Sequence, residues 1–360
     1  MMTLENVNEV KEFTKNFYKY LDFSTAKLIE HILSYDHLPS KTEIARDLDI
    51  PSYTLSRKLN YLKRLGVAFG VNLDFLSIGL KKLIVIARNY LELNDVIEKE
   101  YELSRFLNFY APILLPFQGT LLVYYIPTSI DVHKLVSKLT STVKDINTYD
   151  VIIKSIYSKA KLTHHFDFTR KEYRIDWKRL YRLSSGTALT SKDIADRLID
   201  ESCKSVKFDL LDLLIIDQLE TDPFKHVMNI SKELGVSYAK VLRHFNQHVS
   251  RIVKGFRLRL VPLPPESSLY VCVRVGGNYG LLRRLANALS ELVFIAGIHL
   301  SSQNFMYVLA VVSSDVLNNL IKFLGDFRVD YDVYLLDRMR RVVYSLPYTE
   351  YSRFLKGWTV

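Results

Sequence analysis

An α+β fold built from two similarly organised halves, as in a tandem repeat, is what the sequence predicts, and three observations carry it. Residues recur at a nearly fixed separation, each half opens with short helical patterns, and each then alternates between strand and helix periods. The separation is the most informative. Gln118 and Gln303 stand 185 positions apart, as do Ser52 and Ser237, Tyr53 and Tyr238, Gly70 and Gly255, and Leu73 and Leu258. A separation of 186 aligns Ile44 with Ile230, Leu48 with Leu234, Leu55 with Val241, Arg57 with Arg243 and Leu59 with Phe245. Farther on, Tyr149-Asp150-Val151 matches Tyr331-Asp332-Val333.

The chain has 360 residues, 48% hydrophobic and 24% charged, enough apolar material for more than one core. Its net charge of +10 favours a polyanionic partner without choosing between nucleic acid and membrane. Two stretches without lysine, arginine or carboxylate, Phe106 to Ile130 and Leu292 to Ser314, raise the membrane question. Pro112, Pro116 and Pro127 interrupt the first, and Ser301, Ser302, Gln303 and Asn304 sit at the centre of the second, so both read as buried β-hairpins. Cys203 and Cys272 allow no disulfide framework, as expected of a cytoplasmic protein. Residues 1–22 read as an amphipathic helix, without the apolar run of an export signal.

Each half opens with helix-turn-helix grammar. In the first, Leu28, Ile29, Ile32 and Leu33 make one apolar face, and Ser40-Lys41-Thr42-Glu43 has the form of a capping box. Pro51 breaks the pattern, and Ser52 is placed to cap a third helix carrying Leu55, Leu59 and Leu62 inward as far as Gly66. In the second, Leu213, Ile216 and Leu219 make the first helix, Asp222-Pro223 reads as the start of the next, and Ser237 follows the Gly235 turn as the cap of the third. Ala68 to Leu73 and Val253 to Val261 then alternate as short strands suited to a wing.

The rest of each half reads βαββαβ, the ferredoxin-like order. Lys82 to Asn89, Leu93 to Leu107, Ala111 to Ile126, Asp131 to Thr142 and Thr148 to Tyr157 give it once, and Leu269 to Leu336 gives it again. The expected units are a winged helix-turn-helix at 23–76, a ferredoxin-like domain at 80–160, a basic connector with a polar helix at 161–205, a second winged helix-turn-helix at 206–263, a second ferredoxin-like domain at 266–345, and a tail at 346–360.

Charge placement points to duplex DNA. From Ser52 to Leu73 the chain holds Arg57, Lys58, Lys63 and Arg64 and no carboxylate. From Ser237 to Pro265 it holds Lys240, Arg243, Arg251, Lys254, Arg257 and Arg259, again with none. Donors on the first turns of a third helix can meet phosphates and base edges in a major groove about 12 Å wide, with wing cations on the flanking backbone.

These residues resemble the Lrp/AsnC family of prokaryotic transcription regulators. The likeness rests on Asp209-x-x-Asp212-x-x-Ile215-Ile216-x-x-Leu219-x-x-Asp222, on Ile230-x-x-x-Leu234-Gly235-Val236-Ser237, on Val253-Lys254-Gly255-Phe256 and on Leu65-Gly66-Val67-x-x-Gly70. The resemblance implies a DNA-binding unit joined to a ferredoxin-like domain that senses ligands and pairs chains, and hence possible homo-oligomers through the ferredoxin-like domains. It implies DNA-facing roles for Ser52, Tyr53, Thr54, Arg57 and Lys58 in the first half, and for Ser237, Tyr238, Lys240, Arg243, His244, Lys254 and Arg257 in the second. Two departures stand out. Family members usually carry one unit per chain, and the usual Gly-x-x-Asp of the central hairpin is replaced by Gly119-Thr120-Leu121-Leu122 and Gln303-Asn304-Phe305-Met306, which leaves a small-molecule effector undefined.

The expected function is therefore a sequence-specific regulator that reads two non-identical half-sites, with no catalytic role, no cofactor and no metal. Two alternatives accompany it. A chromatin-like architectural protein would coat DNA without sequence preference. A siroheme-decarboxylase-like enzyme shares the two-domain layout, but no convergent acid, base or nucleophile set is visible, and His299 reads as a satisfied core histidine. His244 and His248 have a zinc-compatible spacing, yet the sequence suggests no third ligand.

Overall fold

The computed structural model describes residues 16–99, 101–143, 145–185, 206–260, 263–352 and 357–358. The polar helix expected near Lys192 to Ser202 lies outside them.

The first half opens with α1 (Phe23–Ser34), α2 (Lys41–Asp47) and α3 (Ser52–Arg64). Asp22 caps α1 by accepting from the Thr25 amide at 2.6 Å, and Ser40 caps α2 through the Glu43 amide at 3.1 Å. Helix α3 departs from expectation: Pro51 occupies its N-cap position, and Ser52 is its first residue. Leu28, Ile29, Ile32, Leu33, Ile44, Leu55 and Leu62 bury against one another between the three helices.

In the second half, α7 (Leu210–Thr221), α8 (Val227–Leu234) and α9 (Tyr238–His244) enclose Leu213, Ile216, Leu219, Ile230 and Val241. Asp222 closes α7 instead of opening α8, which begins at Val227 with the His226 ring accepting from the Met228 amide. Ser237 does stand at the N-cap of α9, but its hydroxyl makes no capping bond. A π-helical turn, Phe245–Val249, prolongs α9.

The strand after each three-helix unit does not form a wing of its own. β1 (Ala68–Leu73) pairs antiparallel with β6 (Val253–Arg259), so the two units share one ribbon. In its register Val71 faces Phe256, two residues 185 positions apart. That pair has the spacing seen between the two halves of the sequence. Side chains cross over as well. Val71 and Leu73 complete the core of the second unit, while Phe256 belongs to the core of the first, where Phe224 stacks on it at 5.1 Å.

Eight of the remaining strands among the described residues build one closed sheet. The first half contributes β2 (Leu80–Ala87), β3 (Leu107–Leu115), β4 (Gly119–Pro127) and β5 (Ile146–Ile156), with α4 (Leu93–Lys99) and α5 (Val132–Thr142) between them. After α6 (Trp177–Ser184), the second half contributes β7 (Leu269–Gly276), β8 (Ile295–Ser301), β9 (Phe305–Val312) and β10 (Asp330–Leu336), with α10 (Tyr279–Leu289) and α11 (Ser314–Asp326). Both charge-free stretches are hairpins, β3–β4 and β8–β9. Within each half the spatial order is fourth, first, third and second strand. The second strand of each half pairs with the fourth of the other, β8 with β5 and β3 with β10, which closes an eight-stranded antiparallel barrel.

Closure leaves no free sheet edge among these eight strands and makes the inner face a core. Ile84, Ile86, Phe109, Ile113, Leu121, Val123, Tyr270, Cys272, Leu309 and Leu336 fill it. Helices cover the outside: Leu135, Val136 and Leu139 of α5 pack on Leu83, Val85 and Leu122, and Leu282, Leu285 and Leu289 of α10 lie in one core with Val271, Val273 and Val308. Among the described residues no helix is long and apolar enough to cross a membrane.

Candidate nucleic-acid interface

On α3, Ser52, Tyr53 and Arg57 are exposed, Tyr53 by 72%. Thr54 is half-buried, and so is Lys58, whose Nζ donates to the Ser24 hydroxyl at 3.0 Å. On α9, Ser237, Tyr238, Lys240 and Arg243 are all exposed, with Tyr238 at 43%. The helical spacing that turns Leu55, Leu62 and Val241 into the cores puts these residues on the opposite face. Each third helix thus presents a hydroxyl, an exposed tyrosine and guanidinium or ammonium donors from its first turns. Lys254 of the ribbon is exposed too.

Two expected DNA-facing residues are placed elsewhere. His244 is buried, with Nδ1 at 2.9 Å from Asp212 Oδ1. Arg257 turns inward because its strand is covered by the partner strand instead of projecting. Its guanidinium lies over the Tyr157 ring at 5.5 Å and 3.6 Å from Glu220, whose other oxygen accepts from Tyr348 at 2.6 Å. The neighbouring Arg259 is held below its ordinary pKa by burial and by Arg257. Neither arginine reaches out as a wing cation would, so the exposed cations of the two acid-free runs are Arg57, Lys63 and Arg64 of α3, Lys240 and Arg243 of α9, and Arg251 and Lys254 beyond it.

Three features were not evident in the sequence. One is the ribbon itself. Another is the group of Asp212, His244 and His248, where His248 Nδ1 lies 2.9 Å from Asp212 Oδ2. The third is a polar seam inside the barrel along the β5–β8 junction. At its core Asp150 is fully buried, accepts from the Tyr307 hydroxyl and lies 3.8 Å from the Arg274 guanidinium. Burial raises the Asp150 carboxyl above the ordinary range, against the opposing pull of Tyr307 and Arg274. Farther along, Lys82 is only 6% exposed, lies over the Phe75 ring at 4.5 Å and donates to the Tyr157 hydroxyl at 3.4 Å. His299 shares a hydrogen bond of 2.8 Å with Ser155, and burial together with Lys82 pushes it well below the usual histidine value. It is a neutral core histidine. Tyr157 and Ser155 follow a β-bulge near Ile153 that shifts the side-chain alternation, a break that period-two reading does not register.

No protein-family profile matches the chain, and no curated protein matches it. Solved structures do. The crystal structure of the siroheme decarboxylase NirDL aligns over 87% of this chain and 91% of its own at 10% identity and a TM-score of 0.46. The same enzyme in co-complex with an iron-uroporphyrin III analogue aligns over 87% and 90%, at 9% identity and 0.45. The protein PH0061 aligns over 36% of this chain and 90% of its own, at 18% identity and 0.26.

Proposed function

We propose that the protein is a sequence-specific, double-stranded DNA-binding transcription regulator of Lrp/AsnC type, composed of two helix-turn-helix units that share one ribbon, each followed by a ferredoxin-like domain. The observation that carries this reading is the pairing of Val71 with Phe256, which joins two exposed, acid-free third helices through positions 185 apart in one chain. A pair of half-sites on the duplex then matches the pair of helices. In this reading Tyr53 and Arg57 contact one half-site, and Tyr238, Lys240 and Arg243 the other. The two helices differ, Tyr-Thr-Leu-Ser-Arg-Lys against Tyr-Ala-Lys-Val-Leu-Arg-His, so the half-sites differ too. The ferredoxin-like halves close on each other, so one chain already supplies the paired arrangement.

Selection of bound fragments from random duplex DNA at physiological salt, read by sequencing, tests the proposal. Enrichment of two unequal half-sites, spaced by about 10 bp or a multiple of it, is the expected result. Equal recovery of all sequences, with binding that weakens steeply in salt, would replace it with an architectural, sequence-blind role.

A further inference from the structure

The cluster at the base of α9 has the composition and geometry of a metal centre. Asp212 is the fourth residue of a capping box that starts at Asp209: its Oδ2 accepts from the Asp209 amide at 2.7 Å, which turns the carboxylate back over the N-terminus of α7. His244 ends α9 and His248 lies in the π-helical turn, four residues on and on the same face. Their rings stand nearly perpendicular with centroids 5.4 Å apart, and each turns Nδ1 toward a different oxygen of Asp212. Donor atoms of all three residues lie within 4.8 Å of one another. Asp209 adds a second carboxylate, with Oδ1 at 3.6 Å from His244 Nδ1.

A bound cation would balance the buried carboxylate. Asp212 is completely buried, and among the described residues no lysine or arginine pairs with it. Its partners are one backbone amide and two imidazoles. The distances suit a small ion. Zinc–nitrogen and zinc–oxygen bonds of about 2.1 Å at a tetrahedral angle separate neighbouring donors by about 3.4 Å, and the observed 2.9 Å contacts need open by only a few tenths of an ångström. One side of the cluster is accessible, because His248 also lines a cavity of about 310 Å³ bounded by Val206, Lys207, Gln247 and Arg251. Two imidazoles exclude ions that take only oxygen and select a borderline metal.

We propose that Asp212, His244 and His248 form a site for a divalent transition metal, with zinc the best-matched ion, which ties the first helix of the second unit to the end of its third. The proposal is independent of what the third helices bind. In the absence of metal the same atoms make the hydrogen bonds described, and an Nδ1 that donates to Asp212 gives up its proton when it takes the ion.

The test uses the full chain, dialysed against a chelator and titrated with Co²⁺ and then with Zn²⁺ against a chromophoric competitor. One equivalent of Co²⁺ should bind with visible ligand-field absorption of tetrahedral strength, Zn²⁺ should displace it, and the thermal midpoint should rise with bound metal. His248→Ala, at a partly exposed position, should weaken binding at least a hundredfold while the circular dichroism spectrum stays unchanged; Asp212→Asn should do the same. His133→Ala, at an exposed histidine elsewhere, should have no effect. Failure of the wild-type chain to take up a stoichiometric ion overturns the proposal and leaves a hydrogen-bonded His–Asp–His cluster. Undiminished binding by His248→Ala overturns it equally.

Discussion

The salt dependence of duplex binding tests the proposed DNA interface most directly, because the structure shows which cations of the expected contact set are exposed. Of the basic residues in the expected contact set, Arg57, Lys240, Arg243 and Lys254 are exposed, whereas Lys58 is engaged by Ser24 and Arg257 faces Glu220 and Tyr157. Four neutralised phosphates give a slope of log affinity against log salt of about −3.6, a loss on the order of a hundredfold between 50 and 200 mM salt. Replacing Arg57 and Arg243 together by alanine halves the count, so the slope should fall to about −1.8 and the loss over the same range to roughly tenfold. If either arginine also reads a base, its single replacement should cost about 1–3 kcal/mol on the selected sequence and much less on unrelated DNA. Fluorescence anisotropy with a labelled duplex at graded salt measures all of this. An unchanged slope in the double variant would refute the assignment of these helices as the DNA face. A slope near −6 or steeper in the wild type would show that cations beyond the four engage the backbone.

Three further outcomes follow from the packing. Gly255 has φ of +88°, and a Cβ there would come within 2.1 Å of the Tyr35 carbonyl, whereas Gly235 has φ of +63° and open space around it; Gly255→Ala should cost about 3 kcal/mol or more and Gly235→Ala about 1 kcal/mol in urea melts, and equal costs would contradict the close packing of the ribbon on the first unit. Phe256→Ala should cost about 3–5 kcal/mol and should also release amide-exchange protection on Ala68 to Leu73, in the other half of the sequence; unaffected protection there would mean that the ribbon is not cooperative. Burial and Lys82 depress His299, so it contributes stability above its unfolded value of about 6.5 that is lost as pH falls toward the folded value. Urea midpoints should therefore drop between pH 7 and 5, and less so in His299→Gln. At lower pH a second loss belongs to Glu291, which burial alone would raise but which His165 and Arg179 hold at about 2, so its contribution is full above about pH 4.5 and disappears on the way down to pH 2.

What the sequence disclosed depended on the range of the interaction. Local signals were readable: the Ser40 cap, the apolar faces of α1 and α7, the glycine turn at Gly235 and both hairpins are set within a few residues, and they appear where the periodicity puts them. Signals with competing local solutions went astray. Proline at 51 takes the cap that Ser52 seemed placed to provide, and Asp222 closes a helix as readily as it opens one. The ribbon was out of reach, because its partners are separated by nearly half the chain and an alternating strand reads the same whether it pairs with a near neighbour or a distant one. That error carried Arg257 with it: a projecting wing would expose it, and the shared ribbon half-buries it against Glu220 and Tyr157. His244 was misplaced for a related reason, since its partner Asp212 lies on a helix that helix-turn-helix grammar keeps away from the recognition face.

The two seams of the barrel show what a single chain permits that a pair of identical chains does not. In a symmetric dimer both junctions would be copies of each other. Here they differ in kind. The β3–β10 junction sets Ile113 and Leu115 against Leu336 and Leu335, with Phe109 and Tyr334 beside them, an apolar contact that repacks after a small slip at modest cost. Along β5–β8, Ser155 faces His299, Ile152 faces Ser301, and Asp150 meets Tyr307 and Arg274. A slip of one residue there would part the fully buried Asp150 from Tyr307 and Arg274, at a cost of about 3–5 kcal/mol for breaking a buried pair, while Arg274 keeps Asp332 at 3.4 Å. One junction therefore supplies adhesion and the other supplies register. Because β1 leads into β2, and β6 into β7, the register fixed at the polar seam also constrains where the ribbon can pair, and through it the relative placement of α3 and α9.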